Sequence, residues 1–299
     1  MKLHGIFPPL TTPFAGEGAL ALDRLRENVA KYNATRLAGY VATGSTGESV
    51  LLTRREVEQV WEAVAQAAAL GKILIAGTGV DSTAETIDRT NRAAALGYHA
   101  ALVKTPYYYK GQMTPDAHFE HYRRVADAAK MPILLYSVPQ FTGVAVEAKL
   151  VARLAEHPNI MGIKESSGNV QRVSEIIHAA PVEFQTLVGS ATTLYPSLAM
   201  GAVGGILALA CALPELCVEL YEAAGSGDAA RARTLQQRAL RPTLKFVAEL
   251  GIPGLKYAMD HVGYYGGPAR MPFLPLTDAQ KREVDEVLAA VAPAAAAWR

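Results

Sequence analysis

Ile73-Leu74-Ile75-Ala76, Ser82-Thr83-Ala84-Glu85 and Ala100-Ala101-Leu102-Val103-Lys104 follow one another in the stretch that decides the fold. A short apolar run, a helical pattern and a second apolar run make one βα unit of a parallel sheet. The helix start between them has a physical marker. In S/T-x-x-E the hydroxyl and the carboxylate each satisfy a backbone N–H that the first turn leaves unpaired. Working outward in both directions, the same alternation predicts strands at Gly5–Pro8, Gly39–Ala42, Ile73–Ala76, Ala100–Lys104, Ile133–Tyr136, Ile160–Lys164, Phe184–Val188 and Gly204–Ala208. Thr53-Arg54-Arg55-Glu56 repeats the capping box. Eight units fit a closed (β/α)8 TIM barrel of the α/β class. A doubly wound sheet does not need eight successive units, and no Gly/Ser-rich linker separates two halves. After the eighth strand the pattern is purely helical, from Pro214 to about Leu250, over Ile252–Val262 and from Asp278 onward. The prediction is a barrel over 1–212 that holds the active site, with a C-terminal helical extension over 213–299 packed on it. The Ala-rich stretch Val291–Ala297 is expected to fray and is given no function.

Composition narrows the function. The 299 residues are 50% hydrophobic and 19% charged, with a mean hydropathy of +0.11, which excludes disorder and supplies a large core. Lys+Arg 29 against Asp+Glu 28 leave a net charge of +1 spread along the chain, so there is no electrostatic footprint for nucleic acid or an anionic membrane. A small-molecule partner is expected. Cys211 and Cys217 lack metal-finger spacing and are too few for a disulfide framework, which suits a reducing cytosol. Met1-Lys2-Leu3-His4-Gly5 has no apolar core of a signal peptide. The longest polar-free stretch, Leu198–Leu213, is closed by Pro214-Glu215 short of the ~18–20 residues of a membrane span and reads as buried barrel wall. A cytoplasmic protein is the expectation.

In such a barrel the reactive groups sit at the C-terminal ends of strands and in the loops that follow. Ile160-Met161-Gly162-Ile163-Lys164-Glu165-Ser166 puts an amine at the end of an apolar strand. Desolvation favours the free amine, which attacks a carbonyl to form a Schiff base; a lysine paired with Glu165 or reaching the rim is the structural alternative. Leu134-Leu135-Tyr136-Ser137-Val138-Pro139 places a phenol on the adjacent strand, able to pass protons to and from a carbinolamine or simply to pack. Gly44-Ser45-Thr46-Gly47-Glu48-Ser49 offers glycines, hydroxyls and N–H groups that could hold a carboxylate, or form a tight turn. Gly77-Thr78-Gly79 lacks the rest of a dinucleotide fingerprint and reads as a turn. His118 and His121 share a helix face but have no matching carboxylates at strand ends, so they are expected to be solvated and not to bind metal. The apolar Ile206-Leu207-Ala208-Leu209-Ala210 is no phosphate cradle.

Gly44-Ser45-Thr46-Gly47-Glu48, Thr105-Pro106-Tyr107-Tyr108, Tyr136-Ser137-Val138-Pro139 with Thr142-Gly143, and Gly162-Ile163-Lys164-Glu165-Ser166 resemble, in this order, the dihydrodipicolinate synthase/N-acetylneuraminate lyase family. The resemblance covers nearly the whole chain and implies a class I, Schiff-base-forming lyase of pyruvate or another 2-oxo acid. It further implies a homotetramer, built as a dimer of dimers, and no cofactor beyond a covalent imine with pyruvate on Lys164. Tyr136 is then the proton shuttle, and Thr46 the hydroxyl linking it to Tyr108, a tyrosine inserted from a neighbouring subunit. Ser45 and Thr46 hold the pyruvate carboxylate; Gly189, Ile206, Ser166 and Phe141 complete the implied substrate-binding set. Phe141 stands where dihydrodipicolinate synthases usually carry an arginine for the carboxylate of aspartate semialdehyde. Val57 and Asp81 alter positions of the lysine feedback site, so feedback by lysine is not expected. Tyr136-Ser137-Val138-Pro139, Gly251-Ile252-Pro253-Gly254-Leu255-Lys256, Gly263-Tyr264-Tyr265-Gly266-Gly267-Pro268 and Ser166 look most like 4-hydroxy-2-oxoglutarate aldolases, and cleavage of that substrate to pyruvate and glyoxylate is the preferred reading. Dihydrodipicolinate synthesis and a catalytically silent metabolite-binding barrel are the alternatives.

Overall fold

Each predicted apolar run forms a strand in the computed structural model, which describes residues 1–291; the Ala-rich end at 292–297 lies outside the described residues. The strands are β1 (Gly5–Phe7), β2 (Gly39–Ala42), β3 (Ile73–Gly77), β4 (Ala100–Lys104), β5 (Ile133–Ser137), β6 (Ile160–Glu165), β7 (Gln185–Val188) and β8 (Gly204–Ile206). They form one parallel eight-stranded sheet in the order β1-β8-β7-β6-β5-β4-β3-β2. The ends meet: Ala38 N–H donates to Ile6 O (3.0 Å), Val41 N–H to Pro8 O (3.0 Å) and Leu10 N–H to Val41 O (2.9 Å). This closes the (β/α)8 barrel. β8 stops two residues before the predicted end because Ala208–Cys211 turns into a 3-10 helix.

Strand residues alternate between two faces. Phe7, Val41, Ile75, Leu102, Leu134 and Leu187 fill the barrel interior, while Ile6, Tyr40, Ala101, Val103, Ile133 and Val188 face the helices. The helices are α1 (Leu22–Asn33), α2 (Arg54–Ala67), α3 (Thr83–Ala95), α4 (Pro115–Ala128), the single turn α5 (Pro139–Thr142), α6 (Ala148–Ala155), α7 (Val170–Ala179), α8 (Leu194–Ala199), α9 (Pro214–Gly225), α10 (Ala229–Pro242), α11 (Gly251–His261) and α12 (Asp278–Val291). The α2 capping box is complete, with Thr53 and Glu56 each binding the other's backbone N–H. At α3 only half of it forms. Ser82 accepts from Glu85 N–H, but the Glu85 carboxylate is drawn to Arg54 and Arg89 instead. α9 follows β8 after the 3-10 turn at Ala208–Cys211 and packs on β1 and α8, so it stands in the outer ring of the barrel. The helical pattern predicted to Leu250 changes pitch, α10 giving way to a π-helical stretch at Thr243–Glu249. The apolar run Leu198–Leu213 is divided among α8, β8 and the 3-10 turn, and among the described residues no helix is long and apolar enough to cross a membrane.

Candidate active site

Parallel register sets three side chains abreast at one level of the barrel: Lys104 pairs with Tyr136, and Tyr136 with Lys164. Lys164 is 4% exposed, and its Nζ lies 4.3 Å from the centroid of the Tyr136 ring. The sequence left open a pair with Glu165, and the structure does not form it. Glu165 instead accepts from the N–H and Oγ–H of Ser167 and faces Arg172 (3.5 Å). No acceptor among the described residues holds the Lys164 amine, so no hydrogen bond or ion pair has to be broken before it approaches a carbonyl carbon.

The hydroxyl beside Tyr136 belongs to Ser45, with Oγ 3.3 Å from the phenol oxygen. The sequence reading gave that link to Thr46, and the geometry corrects it by one residue. The turn itself explains the correction. Thr43 and Glu48 both take φ +55°, a left-handed conformation uncommon outside glycine and most unusual for the β-branched Thr43. Thr43 is held there by the Trp61 Nε1–H, which donates to Thr43 Oγ1 (2.7 Å). Backbone strain of this kind collects where a loop must present its groups in one direction. Gly47, Glu48 and Ser49 turn their N–H groups back onto Gly44 and Ser45 carbonyls. The N–H groups of Ser45 and Thr46 donate to nothing among the described residues, so two adjacent donors are left for an acceptor from outside the turn.

The C-terminal helices hold this turn from behind. Lys256 is fully buried and sits 2.6 Å from Glu48 Oε1, while its ammonium also donates to Thr12 O (2.8 Å) and Pro268 O (2.9 Å). Arg270 N–H donates to the other Glu48 oxygen at 2.8 Å. Burial pushes the Lys256 pKa down and the Glu48 carboxylate pulls it back up. Neither residue was assigned a role from the sequence, since nothing local ties residue 48 to residue 256.

Opposite this turn, a Cβ built on Gly189 would come 1.8 Å from Ser166 Oγ and 3.1 Å from Lys164 Cε. Only glycine lets these two side chains share the space. Ser166 Oγ is buried and has no hydrogen-bond partner, a costly state unless a ligand supplies one. Ile206 is fully buried among the interior residues. Phe141 is instead 68% exposed on α5, and Tyr108 is 74% exposed, packed edge-on against Tyr109 with no hydrogen bond to Tyr136 or Ser45. Asp81 accepts from the N–H groups of Tyr107 and Tyr108 and fixes the start of that loop. Val57 is buried in the core.

One expectation fails here. His118 and His121 are buried, at 2% and 6% exposure, and not solvated. His118 Nε2 lies 3.2 Å from Pro106 O and His121 Nδ1 lies 2.9 Å from Thr83 Oγ1. Burial first, and then neighbouring His118, hold the His121 pKa down at about 4. The helix face they share packs against the loop after β4 and the start of α3, which its spacing alone does not reveal. Lys104 was passed over although it ends an apolar strand just as Lys164 does; it lines a cavity with Tyr136, Ser45 and Leu102.

Comparison with known proteins agrees with this fold. The profile of the dihydrodipicolinate synthetase family matches residues 2–291. A 4-hydroxy-tetrahydrodipicolinate synthase of Methanothrix thermoacetophila is 38% identical over 288 residues, covering 95% of this chain and 96% of its own. A dihydrodipicolinate synthase structure from Bacillus anthracis superposes with a TM-score of 0.93 at 27% identity, over 98% of this chain and 100% of that one. The Acinetobacter baumannii dihydrodipicolinate synthase in complex with pyruvate superposes with a TM-score of 0.91 at 30% identity, over 96% and 98% of the two chains. These relatives carry the synthase name, and the sequence-based preference for 4-hydroxy-2-oxoglutarate aldolase finds no support in them. The chain belongs to the dihydrodipicolinate synthetase family, whose members are class I, pyruvate-dependent lyases acting on 2-oxo acids.

Proposed function

We propose that the chain condenses pyruvate with aspartate semialdehyde, the reaction of a 4-hydroxy-tetrahydrodipicolinate synthase, through an imine on Lys164. The observation that carries this is the meeting of an acceptor-free lysine, a phenol and a hydroxyl in one barrel mouth: Lys164 Nζ at 4.3 Å from the Tyr136 ring, and Ser45 Oγ at 3.3 Å from its hydroxyl. The names of the relatives favour this condensation over retro-aldol cleavage.

The chain's own groups divide the work. The free N–H groups of Ser45 and Thr46 receive the pyruvate carboxylate, which aims C2 at Lys164. Attack by the amine gives a carbinolamine, and loss of water needs a proton delivered to the departing oxygen. Tyr136 supplies it and is reprotonated along Ser45. The protonated imine then draws electrons from C3, which loses a proton to give an enamine. C3 of the enamine attacks the aldehyde carbon, forming the C–C bond while the aldehyde oxygen takes a proton. The amino group of the second substrate finally adds to C2, closes the ring and releases the Lys164 amine. The phenol of Tyr108 from a neighbouring copy of the chain completes the relay, in keeping with its exposure here, and a tetramer is the proposed assembly. The cytoplasm is the proposed location.

A second reading, cleavage of 4-hydroxy-2-oxoglutarate to pyruvate and glyoxylate, is favoured by one observation, the exposed and uncharged Phe141. Borohydride reduction with pyruvate should fix one adduct per chain, on Lys164. Mapping to Lys104 or Lys256 would overturn the assignment. Steady-state kcat/KM for the two reactions then separates them, and a tenfold advantage for cleavage, about 1.4 kcal/mol, would replace the synthase reading by the aldolase.

A further inference from the structure

Lys104 is the one charged side chain whose strand position matches that of Lys164 and which the mechanism leaves unused. Ala100 and Leu102 on the same strand face the barrel interior, so the strand period puts Lys104 on the interior face as well. It lines the cavity together with Tyr136 and Ser45. The side chain is half-buried, with Nζ 5.5 Å from the centroid of the Tyr107 ring. No acceptor among the described residues lies within hydrogen-bond distance of this ammonium, and no carboxylate comes within ion-pair distance. Burial pushes the Lys104 pKa below the ordinary lysine value, Asp81 pulls it partly back and Arg89 opposes that pull, while the Asp81 Oδ1 atom is already engaged by the Tyr107 and Tyr108 N–H groups. Burying an ammonium without a partner is unfavourable. An anion arriving in the cavity would supply the missing partner.

The first substrate does not need it. The carboxylate of pyruvate has the Ser45 and Thr46 N–H groups on the β2 turn, and its carbonyl has Lys164. The aldehyde also brings a carboxylate, both as aspartate semialdehyde and as glyoxylate. Phe141, at the mouth, has neither donor nor charge for it. We infer that Lys104 anchors the carboxylate of the second, aldehyde substrate, and so selects small aldehydes that carry an anionic group. The inference rests on the Schiff-base reading above and deepens it. It places the cation on β4, inside the mouth, and leaves α5 without a part in charge recognition. Lysine acts here as a point charge with rotatable donors, so it tolerates some difference in the distance between aldehyde and carboxylate.

The test separates the two substrates. Lys104→Met, or Lys104→Gln should the first variant not fold, should raise the KM for aspartate semialdehyde by about tenfold or more. The half-saturation for pyruvate, measured by borohydride trapping with pyruvate alone, should stay within about twofold. Lys104→Arg should restore most of the aldehyde KM. Lys110→Met is the control, because Lys110 also lies near the mouth, with Nζ 3.1 Å from a Cβ built on Gly143. An unchanged aldehyde KM in the Lys104 variants would overturn the inference, as would an equal rise in pyruvate half-saturation or a loss found in Lys110→Met instead. Failure of the wild-type chain to trap pyruvate at all would overturn the Schiff-base reading, and the Lys104 assignment with it.

Discussion

Replacing Lys256 by methionine tests whether the C-terminal helices hold the β2 turn through one buried ion pair. The ammonium has three partners, Glu48 Oε1 at 2.6 Å, Thr12 O at 2.8 Å and Pro268 O at 2.9 Å. Both charged side chains are almost completely inaccessible, at 1% and 0% side-chain exposure. Methionine fills much of the same volume, so the loss is electrostatic more than a cavity. It leaves the Glu48 carboxylate buried with the Arg270 N–H as its remaining partner. Breaking a buried pair from one side costs about 3–5 kcal/mol, because the surviving charge stays desolvated. At about 2–3 °C per kcal/mol for a chain of this size, the thermal midpoint should fall by roughly 6–15 °C. The double variant Glu48→Gln/Lys256→Met removes both charges and should recover part of that loss, since the penalty lies in the orphaned carboxylate. The turn also presents the Ser45 and Thr46 N–H groups, so half-saturation for pyruvate in borohydride trapping should rise in Lys256→Met under conditions where the variant is folded. A midpoint within about 2 °C of wild type, or a double variant less stable than the single, would refute this reasoning.

Two further outcomes follow from particular distances. Ser45→Ala should lower kcat by about 10²-fold or more, as loss of a proton-transfer partner does, while Thr46→Ala should cost much less; steady-state turnover of both variants checks this, and the reverse order would return the relay to Thr46. The His121 pKa near 4 lies below the 6.5 of an exposed imidazole because burial disfavours the charged ring, so the unfolded chain binds the proton first. Its contribution is therefore present above pH 6.5 and lost as the pH falls toward 4, amounting to about 3 kcal/mol. Thermal midpoints over that window should fall less steeply in His121→Gln, and an unchanged slope would remove His121 from the acid response.

The strands and most helix starts were legible because their signals are local. An apolar run such as Ile133–Leu135 must be buried wherever it lies, and Thr53 with Glu56 closes its own cap within one turn. Reactive groups in such a barrel sit where strands end, so Tyr136 and Lys164, each closing an apolar run, could be picked out as candidate chemistry from the sequence. A half-formed cap at Ser82 shows where this stops. Arg54 and Arg89 compete for the Glu85 carboxylate, and Arg54 comes from another helix.

What the tertiary structure alone decided lies in loops and between distant segments. A turn has no period, and with Thr43 and Glu48 both at positive φ the neighbouring hydroxyls of Ser45 and Thr46 cannot be told apart by counting. Whether His118 and His121 meet water depends on the loop after β4 and the start of α3 packing against them, and whether Glu48 finds a cation depends on Lys256, more than 200 residues away. Lys104 carried the same strand-end signal as Lys164. Its lack of a partner became visible only when the barrel closed and the Oδ1 atom of nearby Asp81 proved to be engaged by backbone N–H groups. The amino-acid sequence by itself determines which residues must be buried and which face of a strand they occupy, since hydrophobicity and backbone period act over a few residues. Which polar groups meet, and which are left for a substrate, is determined by chain closure in three dimensions, because hydrogen bonds and ion pairs depend on distances that local sequence does not contain.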